Sequence, residues 1–367
     1  LNGFNKTRVA VYPYDNEMYP YLKYKSMLEN IDIRMLLSPA GWALGSKKAC
    51  GYEIKTMLTA DDYSELDALW ITDSINKLQE EHLYEVIEEM LRNGKQIILS
   101  RKIHPETYYA ILETCKRYSG ALIDKSINVK DFTKENIPLS LQEIYTPIVC
   151  VAGIGERTDK FLVQLGVKHC FEKMGYDVAM VSSRTNSIFL NNVHAFPAFM
   201  EGDLPAEYKI VLFNHFIKEI EQLKEPEVII VGIPEGIMPM SKLQVGYFGI
   251  HAFEIFNAIT PDFLALCLYG NDISDLYLSE MKKIIQYRFQ TNVDSFYLSN
   301  TMQDVFTVNR AMPIEYFARE TENIRLLVSN LEAAAGEKNK IYTELDIEAM
   351  VQQMVKQLNE YSVTEVL

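Results

Sequence analysis

The chain predicts an α/β protein built from two Rossmann-like three-layer domains with mainly parallel sheets, followed by C-terminal helices. Three observations carry that expectation. Short apolar runs alternate with amphipathic stretches along most of the sequence, the pattern of a sheet covered by helices. One such run leads directly into Gly153-Ile154-Gly155. The length of 367 residues exceeds what one hydrophobic core usually organises.

In the first domain, residues 1–125, the predicted strands are Val9-Ala10-Val11-Tyr12, Ile31 to Leu37, Ala68-Leu69-Trp70-Ile71 and Gln96-Ile97-Ile98-Leu99. Between the last two, Leu78, Leu83, Val86, Ile87, Met90 and Leu91 recur at helical spacing over residues 76–93, and Gly94 stops the helix. The polar stretch 126–145 reads as a linker. The second domain, residues 146–310, begins with strand Ile148 to Ala152 and a helix through Phe171, followed by strand Asp177 to Val181. Further strands are expected at Tyr208 to Leu212, Val228 to Val231 and Phe263 to Leu268, with a helix after Asn271. Residues 311–367 read as a helical segment: Ala318 to Ala335, a break at Gly336, and a last helix opened by the capping box Thr343-Glu344-Leu345-Asp346. Its stripe of Ile347, Met350, Val351, Met354, Val355 and Leu358 either packs on its own domain or docks a partner.

Composition narrows the function classes. With 50 acidic against 36 basic residues, a net charge of -14 argues against binding a nucleic-acid backbone or an anionic membrane surface. No apolar run approaches the length of a membrane span, and the first residues lack a signal pattern, so a cytoplasmic protein is expected. The 5 cysteines are scattered without a CxxC pair, and the 6 histidines show no metal-site spacing, which disfavours a disulfide framework and a zinc site.

The most informative stretch is Val149-Cys150-Val151-Ala152-Gly153-Ile154-Gly155-Glu156-Arg157-Thr158-Asp159-Lys160-Phe161. A phosphate loop needs glycines where backbone amides turn inward, a lysine to neutralise phosphate, and a helix start whose free N–H groups favour an anion. Strand, glycine loop, lysine and helix occur here in that order, so the second domain is expected to be P-loop-NTPase-like. The spacing from Gly153 to Lys160 is similar to the longer loop of dethiobiotin synthetase-like proteins: G, five residues, then G-K-T. In that register Asp159 stands at the second glycine and Phe161 at the magnesium-binding hydroxyl. Both departures weigh against hydrolysis. The functional reading places a phosphorylated ligand at Gly153, Gly155, Arg157, Thr158 and Lys160. The other reading is a tight turn in which Lys160 pairs with Asp159 or a nearby carboxylate.

Neighbouring strand ends add candidates. Glu235 follows the strand ending at Val231, where a P-loop protein carries an acidic metal-organising residue, and is the candidate for magnesium contact or general base. Arg184, after Ser182-Ser183, offers a guanidinium suited to phosphate. Asn214-His215 and Leu298-Ser299-Asn300-Thr301 follow two further predicted strands, and in the first domain Asp15 and Asp73 read as helix caps.

These motifs, with Gly175-Tyr176-Asp177-Val178, Leu212-Phe213-Asn214-His215-Phe216 and Gly232-Ile233-Pro234-Glu235-Gly236-Ile237-Met238-Pro239, resemble the peptide maturation system family. Its members are encoded with radical SAM enzymes in bacterial clusters that make modified, bacteriocin-like peptides. The resemblance implies an accessory role in maturing a ribosomally synthesised peptide, with the precursor peptide or a radical SAM enzyme as partner. The implied cofactor is ATP or another nucleotide, with magnesium left open. Two alternatives remain: an ATP-dependent ligase or kinase acting on the peptide, and a non-catalytic scaffold.

Overall fold

Each predicted apolar run except one becomes a strand, and most of these are buried on both faces, as parallel sheets covered by helices require. The computed structural model describes residues 6–42, 47–125, 140–184, 187, 189–239, 241, 243, 248–310, 313–335 and 339–364. The chain divides into two compact units, Leu1–Val129 with Thr185–Asn191, and Lys130–Arg184 with Asn192–Leu367. Much of the expected linker, residues 126–139, lies outside the described residues. Residues 140–145 are held on the second unit: the backbone N–H groups of Gln142 and Tyr145 donate to the side chains of Asn214 and Glu221 at 2.7 Å each.

The first unit carries β1 (Thr7–Tyr12), β2 (Ile31–Leu37), β3 (Lys48–Ala49), β4 (Tyr52–Lys55), β5 (Ala68–Ile71), β6 (Gln96–Leu99) and β7 (Leu122–Asp124). They form a sheet ordered β3-β4-β2-β1-β5-β6-β7, in which only the β3–β4 pairing is antiparallel. Short helices α1 (Tyr19–Lys23) and α2 (Ala60–Ser64) precede the two longer ones, α3 (Glu80–Arg92) and α4 (Pro105–Arg117). Helix α3 starts at Glu80, later than the periodicity suggests, and buries Leu83, Ile87, Met90 and Leu91. Trp70 is enclosed edge-on by Tyr21 and Phe189, and its indole N–H donates to Ser100 at 2.9 Å. Asp15 is buried and accepts the N–H groups of Glu17 and Ile75.

The second unit carries β8 (Ile148–Gly153), β9 (Val178–Val181), β10 (Val193–His194), β11 (Val228–Gly232), β12 (Phe263–Leu268) and β13 (Ser295–Leu298). A hairpin of β14 (Thr301–Gln303) and β15 (Tyr316–Ala318) follows, and then β16 (Ile341–Tyr342). Among the described residues its main sheet has seven strands, ordered β10-β9-β11-β8-β12-β13-β16 and parallel throughout. Helices α5 (Lys160–Lys173), α6 (Ala206–Lys224), α7 (Ile250–Ala258), α8 (Asp275–Phe289), the short α9 (Val305–Val308), α10 (Thr321–Ala335) and α11 (Ile347–Thr364) complete the unit.

Two expectations are corrected. Residues 208–212, expected as a strand, lie in the first two turns of α6. The short run Tyr208-Lys209-Ile210-Val211-Leu212 alternates by chance. Over the longer window Phe213, Ile217 and Ile220 are buried at helical spacing, and burial of that stripe outweighs local β propensity. Residues 311–367 are also not helical alone, because β15 pairs with β14 and β16 adds a strand beside β13. Two or three residues are too few for alternation to register.

The capping box is present, with Thr343 and Asp346 bonding reciprocally ahead of α11. Ile347, Met350, Val351 and Met354 are all buried, and α11 packs on α5, β12 and β16. Its apolar face is therefore occupied by its own unit. Helix α5 lies between that helix and the sheet, which explains why Lys160 through Lys168 are buried with no solvated stripe. Among the described residues no helix is long and apolar enough to cross a membrane.

Replacing Phe213 with alanine should cost about 3–5 kcal/mol and lower the thermal midpoint, whereas Leu223→Ala at the exposed end of α6 should leave it unchanged. Thermal unfolding followed by circular dichroism separates a buried α6 face from a half-exposed strand, which would make the two substitutions comparable.

Candidate functional site

Because the strands of the second sheet are parallel, the segments after β8, β9, β11, β12 and β13 emerge at one rim, the edge where such sheets hold ligands. The turn after β8 is floored by Gly153. A Cβ there would lie 2.2 Å from the Thr158 hydroxyl and 2.8 Å from Cδ of Lys160, so the lysine stem passes where any other residue would put its side chain. Thr158 is fully buried, and its hydroxyl donates to the Gly155 carbonyl at 3.2 Å. It braces the turn from inside. Arg157 and Asp159 both adopt left-handed backbone, φ 57° and 60°, a region that favours glycine. The glycine that the loop pattern calls for at Asp159 thus has a conformational basis. Aspartate tolerates the position and uses its carboxylate to accept the Ser299 hydroxyl at 2.6 Å, tying the helix start to the end of β13.

Lys160 opens α5 and is 9% exposed. Its ammonium donates to the backbone carbonyl of Glu235, across the rim in the loop after β11. Its pKa is lowered to about 8, chiefly by burial and in smaller part by the nearby charge of Arg184, while Cys267, Glu156 and Glu235 oppose the shift. Among the described residues no carboxylate, Asp159 included, takes a hydrogen bond from the ammonium as the turn-only reading supposed. Gly236 closes the approach, since a Cβ there would stand 2.7 Å from Cα of Gly155 and 2.9 Å from the Ile154 carbonyl.

Arg184 lies at the end of β9 with its guanidinium 4.5 Å from the centroid of the Phe161 ring. Ser183, beside it, exchanges two hydrogen bonds with the buried side chain of Gln164 on α5. Arg157 is exposed and stacks 4.4 Å over Tyr316, while Tyr269 donates to the Glu156 carbonyl at 2.6 Å. Gly153, Gly155, Arg157, Thr158, Lys160, Arg184 and Glu235 therefore lie around one rim. Asn214 and His215 do not. They sit on α6, where Asn214 donates to the carbonyls of Gln142 and Ala258 and His215 meets Ser140 and Gln142.

Sequence reasoning missed His251. On the first turn of α7, its Nδ1 is 3.1 Å from the buried carboxylate of Glu254 and its Nε2 is 3.9 Å from that of Glu235. The i,i+3 spacing of His251 and Glu254 is the one signal the sequence offers, and it is common on any helix. Beside the loop lies a cavity of about 530 Å³, lined in part by Ile154, Leu268, Tyr269, Tyr277, Val305 and Val308.

No protein-family model matches the chain, and no curated protein matches it. Among solved structures it is similar to a DUF1611 family protein from Anabaena variabilis at 11% identity, covering 97% of this chain and 100% of that one with a TM-score of 0.57. That likeness is one of fold. Two partial likenesses have lower scores. The first is to cobyrinic acid a,c-diamide synthase from Mycobacterium smegmatis with bound ADP and magnesium, at 9% identity, 59% of this chain, 96% of that chain and a TM-score of 0.37. The second is to a GTPase from Pyrococcus abyssi, at 12%, 59%, 97% and 0.35.

Gly236→Ala should separate the two rim loops and lower both the thermal midpoint and any affinity for a phosphorylated ligand. Gly202→Ala, whose Cβ would meet its nearest atom at 3.5 Å, should change neither. Equal effects of the two in a thermal melt would contradict the close approach.

Proposed function

We propose that this chain binds a nucleotide or another phosphorylated ligand at the Gly153 to Lys160 turn, as an accessory protein in the maturation of a ribosomally synthesised peptide. One observation carries the binding reading. Lys160 keeps a buried ammonium at a helix start, on the rim of a parallel sheet, with its stem crossing a glycine where a Cβ would collide with it and with the Thr158 hydroxyl. Burying a charge costs stability, and a backbone carbonyl offsets only part of that. An anion supplies what is missing, and the free N–H groups of α5 add to its stabilisation. The adjoining cavity, with its tyrosines and aliphatic walls, suits the organic part of a phosphate ester.

The pathway reading rests on the resemblance of the quoted motifs to the peptide maturation system family, with a precursor peptide or a radical SAM enzyme as partner. A second, catalytic reading is favoured by His251. A buried carboxylate behind an imidazole that faces Glu235 is an arrangement suited to moving a proton, as an ATP-dependent ligase or kinase would need.

Isothermal titration of ATP, ADP and GTP into the wild type and Lys160→Ala tests the binding reading. Saturable binding that disappears in the variant is expected, and a folded wild type that binds none of them refutes it. Turnover of bound nucleotide that His251→Ala abolishes without loss of affinity would establish the catalytic reading.

The same titration should depend on pH. The Lys160 ammonium is charged below its folded value of about 8, so affinity should be level on the acid side and fall by about tenfold per pH unit above it. A profile flat to pH 10 would show that Lys160 does not meet the anion.

A further inference from the structure

In the loop pattern that this turn follows, the residue after the lysine carries a hydroxyl that ligates magnesium. The residues present do not fit that ion. Phe161 occupies the position, is 2% exposed and has no donor atom. The Glu235 carboxylate is drawn toward His251 at 3.9 Å, and that of Asp159 accepts the Ser299 hydroxyl. Among the described residues no group of three or more histidine, cysteine, aspartate and glutamate side chains is placed to hold a metal.

What the position holds instead is a seat for a cation. The Phe161 ring presents its face to the Arg184 guanidinium at 4.5 Å from the centroid, where ring and charge attract. Arg184 extends from the end of β9 while Phe161 is the second residue of α5, so two elements of the rim fix the guanidinium beside the loop. A guanidinium is planar, always charged, weakly hydrated and able to engage two phosphate oxygens at once. It therefore supplies on one side of a phosphate group the positive charge that a metal ion supplies elsewhere. Two fixed cations beside one helix start match the two charges of a phosphomonoester or terminal phosphate group.

We propose that the site takes its phosphorylated ligand without magnesium, with Arg184 seated on Phe161 where a metal-binding loop would place the ion. The inference rests on the reading of the Gly153 to Lys160 turn as a phosphate site. It accounts for both a phenylalanine at a hydroxyl position and a guanidinium over its ring. Like charge from Arg184 lowers the pKa of Lys160, and an anion between the two relieves that repulsion.

The test is isothermal titration of ADP into the full chain, in EDTA and again in millimolar magnesium. Variants Arg184→Gln, Phe161→Leu, Phe161→Thr and Lys160→Ala are measured alongside, each first checked for a wild-type melting curve. The wild type should bind ADP at least as tightly in EDTA as in magnesium. Arg184→Gln should weaken binding by about tenfold or more. Phe161→Leu, which keeps the guanidinium but removes its aromatic seat, should weaken it by a smaller factor. Phe161→Thr, which restores the hydroxyl, should make affinity respond to magnesium. Binding by the wild type that requires magnesium and is lost in Lys160→Ala would overturn this proposal and leave the phosphate site intact. So would Arg184→Gln binding as tightly as the wild type. Absence of binding under every condition would overturn the phosphate site itself, and this inference with it.

Discussion

The contact on which the second unit's rim depends is that between the Lys160 ammonium and the Glu235 carbonyl. It joins the first turn of α5 to the loop after β11, and so spans the two neighbouring strands β8 and β11. For the lysine to reach that carbonyl its stem must cross the floor of the turn, which requires Gly153 to lack a Cβ. The loops must also approach closely, which requires glycine at 236. The left-handed backbone at Arg157 and Asp159 then brings the chain up into α5. Ser299 secures the turn from the other side by donating to Asp159. Strained positions gathered at one place, with a buried charge among them, are what sites built for a ligand commonly show.

The burial of Lys160 follows from the layering. Helix α5 lies against the sheet on one side and α11 on the other, so its residues from Lys160 to Lys168 are buried with no solvated stripe along the helix. Lys168, fully buried two turns on, bonds Glu172 and lies near the Val178 carbonyl, so its charge is met within the fold. Lys160 faces the rim, and among the described residues its hydrogen bond goes to a neutral carbonyl, with the Glu156 and Glu235 charges acting only through space. The two buried lysines of one helix thus differ in what their surroundings supply. That difference is the basis of the anion site proposed at the helix start.

The central strands were legible because buried parallel strands are short unbroken apolar runs, and those at Ile148 and Phe263 stand out without any knowledge of their partners, whereas short edge strands such as those at Lys48, Tyr52, Leu122 and Val193 were not. The phosphate-loop candidates were legible because glycines and a lysine after a strand are a local pattern. The stretch at Tyr208 misled because five residues are too few to distinguish alternation from helical spacing. With it went the placement of Asn214 and His215. The strand at Ile341 went unseen because its two residues owe their conformation to a neighbour 45 positions earlier, at Phe296. His251 was missed because its one local signal, the i,i+3 spacing to Glu254, is common on any helix, and Glu235 faces it from a separate loop.

The sequence by itself determined the α/β class, the parallel strands and the strand-to-helix turn with its lysine, since each depends on residues close together along the chain. Only the tertiary structure decided that Lys160 meets a carbonyl and no carboxylate, that Phe161 carries Arg184, and that α11 covers its own unit. Those outcomes depend on which strand lies beside which, and strand order is set by burying apolar surface contributed by segments far apart in the chain. A loop pattern therefore names the residues that reach the rim, whereas the charges meeting there follow from the order of the sheet.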